Sequence, residues 1–165
     1  MQEFEENEDT QRGRYLTFAL GEEKFGIDIK FITEIIGMQP ITALPEAPVY
    51  TKGIINLRGK IIPVIDSRLK FKKQPKEYNE RTCIIVIDIR DVQVGLIVDD
   101  VADVLMIGDE NIALPPDHRA GIQNRYLAGI GKVGSGVILL LSCEKLFLDE
   151  EWEMIKESSR AGAGQ

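Results

Sequence analysis

Histidine and cysteine are nearly missing from this chain, which has one histidine, His118, and two cysteines, Cys83 and Cys143, in 165 residues, with no CxxC spacing. A structural zinc site needs Cys and His ligands in close, characteristic spacing, and an activated nucleophile needs an imidazole oriented by a carboxylate; neither set is supplied. Both cysteines enter or flank apolar runs, where a thiol serves as a small core side chain in a reducing compartment. A basic surplus is missing too: 20 lysines and arginines face 27 acids, a net charge of −7, which argues against gripping the phosphates of a nucleic acid. No apolar run approaches the roughly 20 residues of a membrane span, and the opening MQEFEENEDT is acidic where a secretory signal is basic and then apolar. A cytoplasmic protein without direct membrane insertion is the expectation.

Present in ordinary globular proportion are hydrophobic residues, 44%, and charged residues, 28%. Their arrangement is that of a β protein. YLTFAL (15–20), KFGIDI (24–29), TCIIVID (82–88), QVGLIVD (93–99) and GVILLL (136–141) are short, rich in Ile and Val, and bounded by turn residues. GEE at 21–23 and IRDV at 89–92 join neighbouring runs at hairpin length. NLRGKIIPVID (56–66) sets Arg58, Gly59 and Lys60 between two apolar runs and Pro63 inside the second, which predicts a tight turn followed by an edge strand, since proline cannot donate to a ladder. A helical turn is predicted after Asp66, and a longer helix over about 142–158 with a break near Leu148 and Asp149.

Laid on itself, the chain repeats. FGIDIKFITEII (25–36) matches VGLIVDDVADVL (94–105) without a gap at an offset of 69, and Tyr-x-x-Gly-Ile recurs at Tyr50 and Tyr126 at an offset of 76. Two halves on one plan, each able to close a small barrel that is marginal alone, are expected to pack on each other. The expected organisation is an acidic tail over 1–12, a single domain over 13–158 and a tail over 159–165. Within the domain, a first barrel spans about 13–69, a connection 70–80, and a second barrel about 81–148.

The chemistry on offer is thin. Gly129, Gly131 and Gly134 spell GxGxxG, but a strand-like VILLL follows where a dinucleotide site needs a helix, so a glycine-rich hairpin is the reading. Asp99 and Asp100 follow an apolar strand as in a phospho-acceptor pocket, yet the surroundings read as hairpins rather than alternating strands and helices. A metal-dependent enzyme built on these two acids is the reading of another class. Seven bases against Asp66 in 58–76 form a solvated turn and linker. Arg58 stands apart, because Glu34 on the preceding apolar strand is placed to reach it, and a carboxylate-held guanidinium makes a rigid polar feature on an apolar surface.

The stretches FGIDI (25–29), ITEII (32–36), YTKGIINLRGKIIPVIDSR (50–68) and GLIVDDVADVL (95–105) together resemble the CheW coupling proteins of bacterial chemotaxis, over roughly residues 14–148. The resemblance implies a mainly β fold of two packed five-stranded SH3-like barrels sharing an apolar seam, with a C-terminal helix. It implies an adaptor with no catalysis and no cofactor, monomeric when free. Its partners would be the helical hairpin tips of chemoreceptors and the regulatory domain of the histidine kinase CheA, within membrane-bound receptor arrays. By the same resemblance, receptor contacts fall on Ile32, Glu34, Ile36, Gly53, Arg58, Gly95, Asp99 and Val101. Kinase contacts fall on Met38, Ile41, Leu44 and Ile61, with a second patch at His118 in ALPPDHRAG. A CheV-like regulator or a fragment of the kinase's own regulatory domain is the alternative within this fold.

Overall fold

A computed structural model describes residues 13–115 and 125–161. Eleven strands form two sheets among the described residues: β1 (Arg14–Leu20), β2 (Glu23–Asp28), β3 (Ile32–Gly37), β4 (Thr51–Leu57), β5 (Lys60–Asp66), β6 (Cys83–Ile89), β7 (Val92–Val98), β8 (Asp100–Met106), β9 (Ile112–Ala113), β10 (Leu127–Val133) and β11 (Gly136–Leu141). One sheet runs β8-β1-β2-β11-β10-β9 and the other β3-β6-β7-β5-β4. The helices are α1 (Ser67–Lys70) and α2 (Asp149–Ala161).

These sheets do not divide where the two halves of the sequence divide. The hairpin β1–β2 of the first half pairs with β8 and β11 of the second, while β6–β7 of the second half pairs with β3 and β5 of the first. The separation into a barrel at 13–69 and another at 81–148 is therefore corrected: each barrel takes a hairpin from the opposite half. The cause lies in the links. A 3-10 turn, Ile29–Phe31, joins β2 to β3 and Asp99 alone joins β7 to β8, and no residue of either link takes the positive φ found in the β1–β2, β4–β5 and β6–β7 hairpin turns, so neither strand folds back beside its predecessor. Each continues across into the other sheet instead.

The repeat follows this exchange strand for strand. An offset of 69 carries β1, β2 and β3 onto β6, β7 and β8, and an offset of 76 carries β4 and β5 onto β10 and β11. Gly26 and Gly95 are counterparts at the two parallel junctions, opposite Leu140 and Val64. A Cβ on Gly95 would lie 2.7 Å from Ile84, and one on Gly26 3.0 Å from Leu140, so both glycines make room for the barrel interiors.

Apolar burial is layered in the same pattern. Ile55, Ile62, Val64, Ile84, Val86 and Ile97 fill one barrel, and Ile107, Ile138 and Leu140 the other. The largest cluster, including Leu16, Phe18, Phe25, Ile85, Ile87, Leu96, Phe71, Phe147 and Trp152, lies in the seam between the sheets. Alternation along β6 explains how one strand serves two layers: Ile84 and Val86 point into the barrel, Ile85, Ile87 and Ile89 into the seam. At about 1.5–3 kcal/mol per fully buried aliphatic or aromatic side chain, the seam is the dominant apolar contribution and makes the halves interdependent.

Two local readings change. Strand β5 is not an edge strand, for it lies between β4 and β7. Its parallel pairing with β7 begins only at Val64, so Pro63 occupies the last position at which that side of the ladder is unpaired. The predicted helix over 142–158 is two pieces, a 3-10 turn at Cys143–Lys145 and α2 from Asp149, with the break where it was expected. At α2's start the Glu151 carboxylate accepts from the Leu148 N–H at 2.9 Å, half of a capping box.

Candidate functional site

The β4–β5 turn holds Arg58 at φ 52° and Gly59 at φ 88°, the paired left-handed conformation of a two-residue hairpin matched to the strand twist. Asn56 Oδ1 accepts from the Gly59 N–H at 2.8 Å and fixes the turn. Arg58 then donates from Nη2 to Glu34 Oε1 on edge strand β3, as the sequence suggested. With the Arg58 side chain 70% exposed and that of Glu34 29%, this pair is an accessible polar feature and contributes little to stability.

Around it lie residues from both predicted sets. Ile36, Met38, Ile41 and Leu57 pack half-buried on the interior cluster of the same barrel. Gln39, Pro40, Thr42, Ile54, Asn56 and Ile61 line a groove of about 270 Å³. Leu44 lines another of about 270 Å³ against Met154, Glu157 and Ser158 of α2. The structure thus gathers Glu34, Ile36 and Arg58 on one end of a barrel with Met38, Ile41 and Ile61.

The remaining predicted residues lie elsewhere. Gly53 is buried, and a Cβ there would fall 2.0 Å from the Thr42 carbonyl oxygen, because the Thr42–Ile54 bridge brings the two backbones together. Gly95 is buried among Ile84 and Val64. Both glycines are buried and make room for close packing within the chain. Ile32 and Val101 rest half-buried on the seam cluster. Asp99 joins β7 to β8 and is gripped by Arg68, Nε to Oδ1 at 2.8 Å and Nη2 to Oδ2 at 2.5 Å, while Oδ2 also accepts from the Gly21 N–H at 2.8 Å. The hydrogen bonds from Arg68 hold its carboxyl below the ordinary range despite partial burial. Asp99 is thus held in a clamp within the chain, and His118 lies outside the described residues.

Sequence reasoning missed the outward face of the edge strands. Ile35 is 44% exposed on β3, and Val104 and Met106 are 51% and 65% exposed on β8. Ile35 and Val104 are repeat counterparts. The signal was available in ITEII: a half-buried strand alternates apolar with polar, whereas Ile35 and Ile36 are adjacent and one of them must face out.

Of the thiols, Cys143 is buried and pushed up to about 12 by that burial, and Cys83 is half-buried and raised for the same reason. Among the described residues no cluster of three metal-ligating side chains occurs, and no helix is long and apolar enough to cross a membrane.

Comparison with known proteins agrees with this architecture. Residues 14–151 match the CheW-like domain. The chain is 37% identical over 153 residues to the chemotaxis protein CheW of Klebsiella aerogenes, covering 93% of this chain and 92% of that one. It is 36% identical over 138 residues to the probable chemotaxis protein CheW of Rhizobium etli, covering 84% and 89%. The crystal structure of the scaffolding protein TtCheW from Thermoanaerobacter tengcongensis superposes with a TM-score of 0.78 at 35% identity, covering 84% of this chain and 94% of that chain. Exchanged barrels, an apolar seam, the NLRGKIIPVID hairpin and a match along almost the whole length converge on one assignment: this chain belongs to the CheW family.

Proposed function

We propose that the protein is a non-catalytic chemotaxis adaptor that couples the helical tips of chemoreceptors to the regulatory domain of the histidine kinase CheA. It would act in the cytoplasm, recruited to receptor arrays, and belong to a larger assembly when bound. The observation that carries the reading is the Arg58–Glu34 pair: a guanidinium held at a hairpin tip beside an edge strand, on a chain that belongs to the CheW family. A receptor hairpin presents amphipathic helices, and such a helix needs apolar contacts with one polar anchor. Arg58 and Glu34 supply the anchor, and Ile35 with Ile36 the apolar contacts on the two faces of β3. The kinase contact falls on Met38 and Ile41, packed on the barrel interior, on Ile61, which lines a groove beside the same hairpin, and on Leu44, which lines one against α2.

Co-sedimentation with a receptor cytoplasmic fragment and purified CheA tests this, with kinase autophosphorylation read in parallel. Ternary assembly with raised autophosphorylation is the expected outcome. Loss of receptor binding in Ile35→Asp with kinase binding intact would place the receptor on β3, and full receptor binding by that variant would move it elsewhere.

A further inference from the structure

Lys70 is the one buried lysine among the described residues, its side chain 2% exposed. Its ammonium sits 4.5 Å from the ring centre of Tyr50, 4.8 Å from that of Tyr126 and 5.0 Å from that of Phe147. Tyr50 and Tyr126 are repeat counterparts, as are Phe71 and Phe147, and each tyrosine packs on the phenylalanine of the opposite half. Lys70 therefore lies on the line about which the two halves are related. Its own counterpart is Leu146, also buried, so the fold accepts an apolar side chain at this kind of position. A lysine there is not required to fill space.

Its one carboxylate partner comes from the C-terminal helix. Lys70 Nζ donates to Glu151 Oε2 at 3.0 Å, the Tyr50 hydroxyl donates to the same oxygen, and Arg125 stands 4.0 Å from Oε1. Otherwise α2 is held mainly by Trp152 and Ile155, with β5 as the strand it leans on, and it belongs to neither sheet. One carboxylate near the start of α2 thus joins it to both halves at their axis.

We propose that Lys70 and Glu151 form a latch that docks α2 as a separable strap over the seam, giving the chain a strap-on and a strap-off state with the same two sheets. Release carries Met154 and Ser158 away from the Leu44–Ala47 segment and opens the groove they share. A paired buried charge suits such a device. With its partner in place it fixes one geometry, and without it the desolvated ammonium is expelled, so the strap is either seated or free.

Hydrogen exchange of the full-length protein tests this, with acrylamide quenching of Trp152, the sole tryptophan, as a second readout. In Glu151→Gln, amides of α2 are expected to exchange about tenfold faster or more, with quenching increased, while those of β6 and β7 keep their protection. The double variant Lys70→Leu/Glu151→Gln, which takes at 70 the side chain found at position 146 and keeps an acceptor oxygen at 151 for the Leu148 N–H and the Tyr50 hydroxyl, is expected to restore α2 protection. The latch is overturned if α2 and the sheets lose protection together, if Glu151→Gln leaves α2 unchanged, or if the double variant is as loose as the single one.

Discussion

Gly53 and Gly59 stand six residues apart on one hairpin and make opposite demands on a side chain. A Cβ on Gly53 meets the Thr42 carbonyl at 2.0 Å, whereas one on Gly59 meets nothing within 4 Å and suffers only the left-handed φ. Gly53→Ala is expected to cost about 3 kcal/mol by forcing the Thr42 segment off β4, and Gly59→Ala about 1 kcal/mol, both read as urea midpoints. Arg58 inverts this logic, being a non-glycine residue already held at φ 52°. Arg58→Gly removes the guanidinium and relieves the backbone, so the fold is expected to keep its stability within about 1 kcal/mol while receptor co-sedimentation falls. If receptor binding survives in this variant, Arg58 is not the anchor. Arg58 and Glu34 were readable as a pair from complementary charge on neighbouring segments, although β3 and β4 stand at opposite ends of their sheet and only the closure of that barrel brings the hairpin tip to β3. The burial of Gly53 and Gly95 was not readable, because a resemblance transfers a position without the contact that makes it matter.

At the scale of elements, the links at which strands change sheet are the points of tension, and Asp99 guards one of them. Arg68 on α1 and the Gly21 N–H in the β1–β2 turn both bind its carboxylate, so three elements meet at the residue where β7 passes into β8. Because the pair is mostly buried, with side chains 15% and 14% exposed, Asp99→Asn is expected to cost about 2–3 kcal/mol at neutral pH. The folded pKa lies below the unfolded value, so the contribution is complete above about pH 4 and is lost as pH falls through the folded value. Urea midpoints of wild type and variant should therefore differ most at neutral pH and draw together as pH is lowered below about 4, and a gap that does not narrow would refute the assignment. The strands themselves were legible from short Ile- and Val-rich runs and turn spacing, as were the α1 start at Asp66 and the break before α2. Strand neighbours were not, since period-two alternation identifies a strand without naming its partner, and Pro63 suggested an edge that β5 has along only one side of its first half.

The whole molecule is two copies of one plan that have traded hairpins. The repeat in the sequence revealed the two copies, but not the trade, because an offset between segments is the same whether each half pairs with itself or with the other. The trade has a mechanical consequence. Every sheet contains strands from both halves, so the covalent connection between them is dispensable once the chain has folded. Most of that connection is exposed, and Lys76 within it is accessible to trypsin. Cleavage after Lys76 separates β1–β5 from β6–β11 in sequence but leaves all inter-strand pairing and the seam intact. Nicked protein is expected to elute from a sizing column at the position of the intact chain and to resolve into two fragments only under denaturing electrophoresis. After dilution from urea the fragments should reassociate at a rate that depends on concentration, because pairing between halves has become bimolecular. Fragments that part under native conditions would mean that each half pairs within itself and that the exchange is wrong.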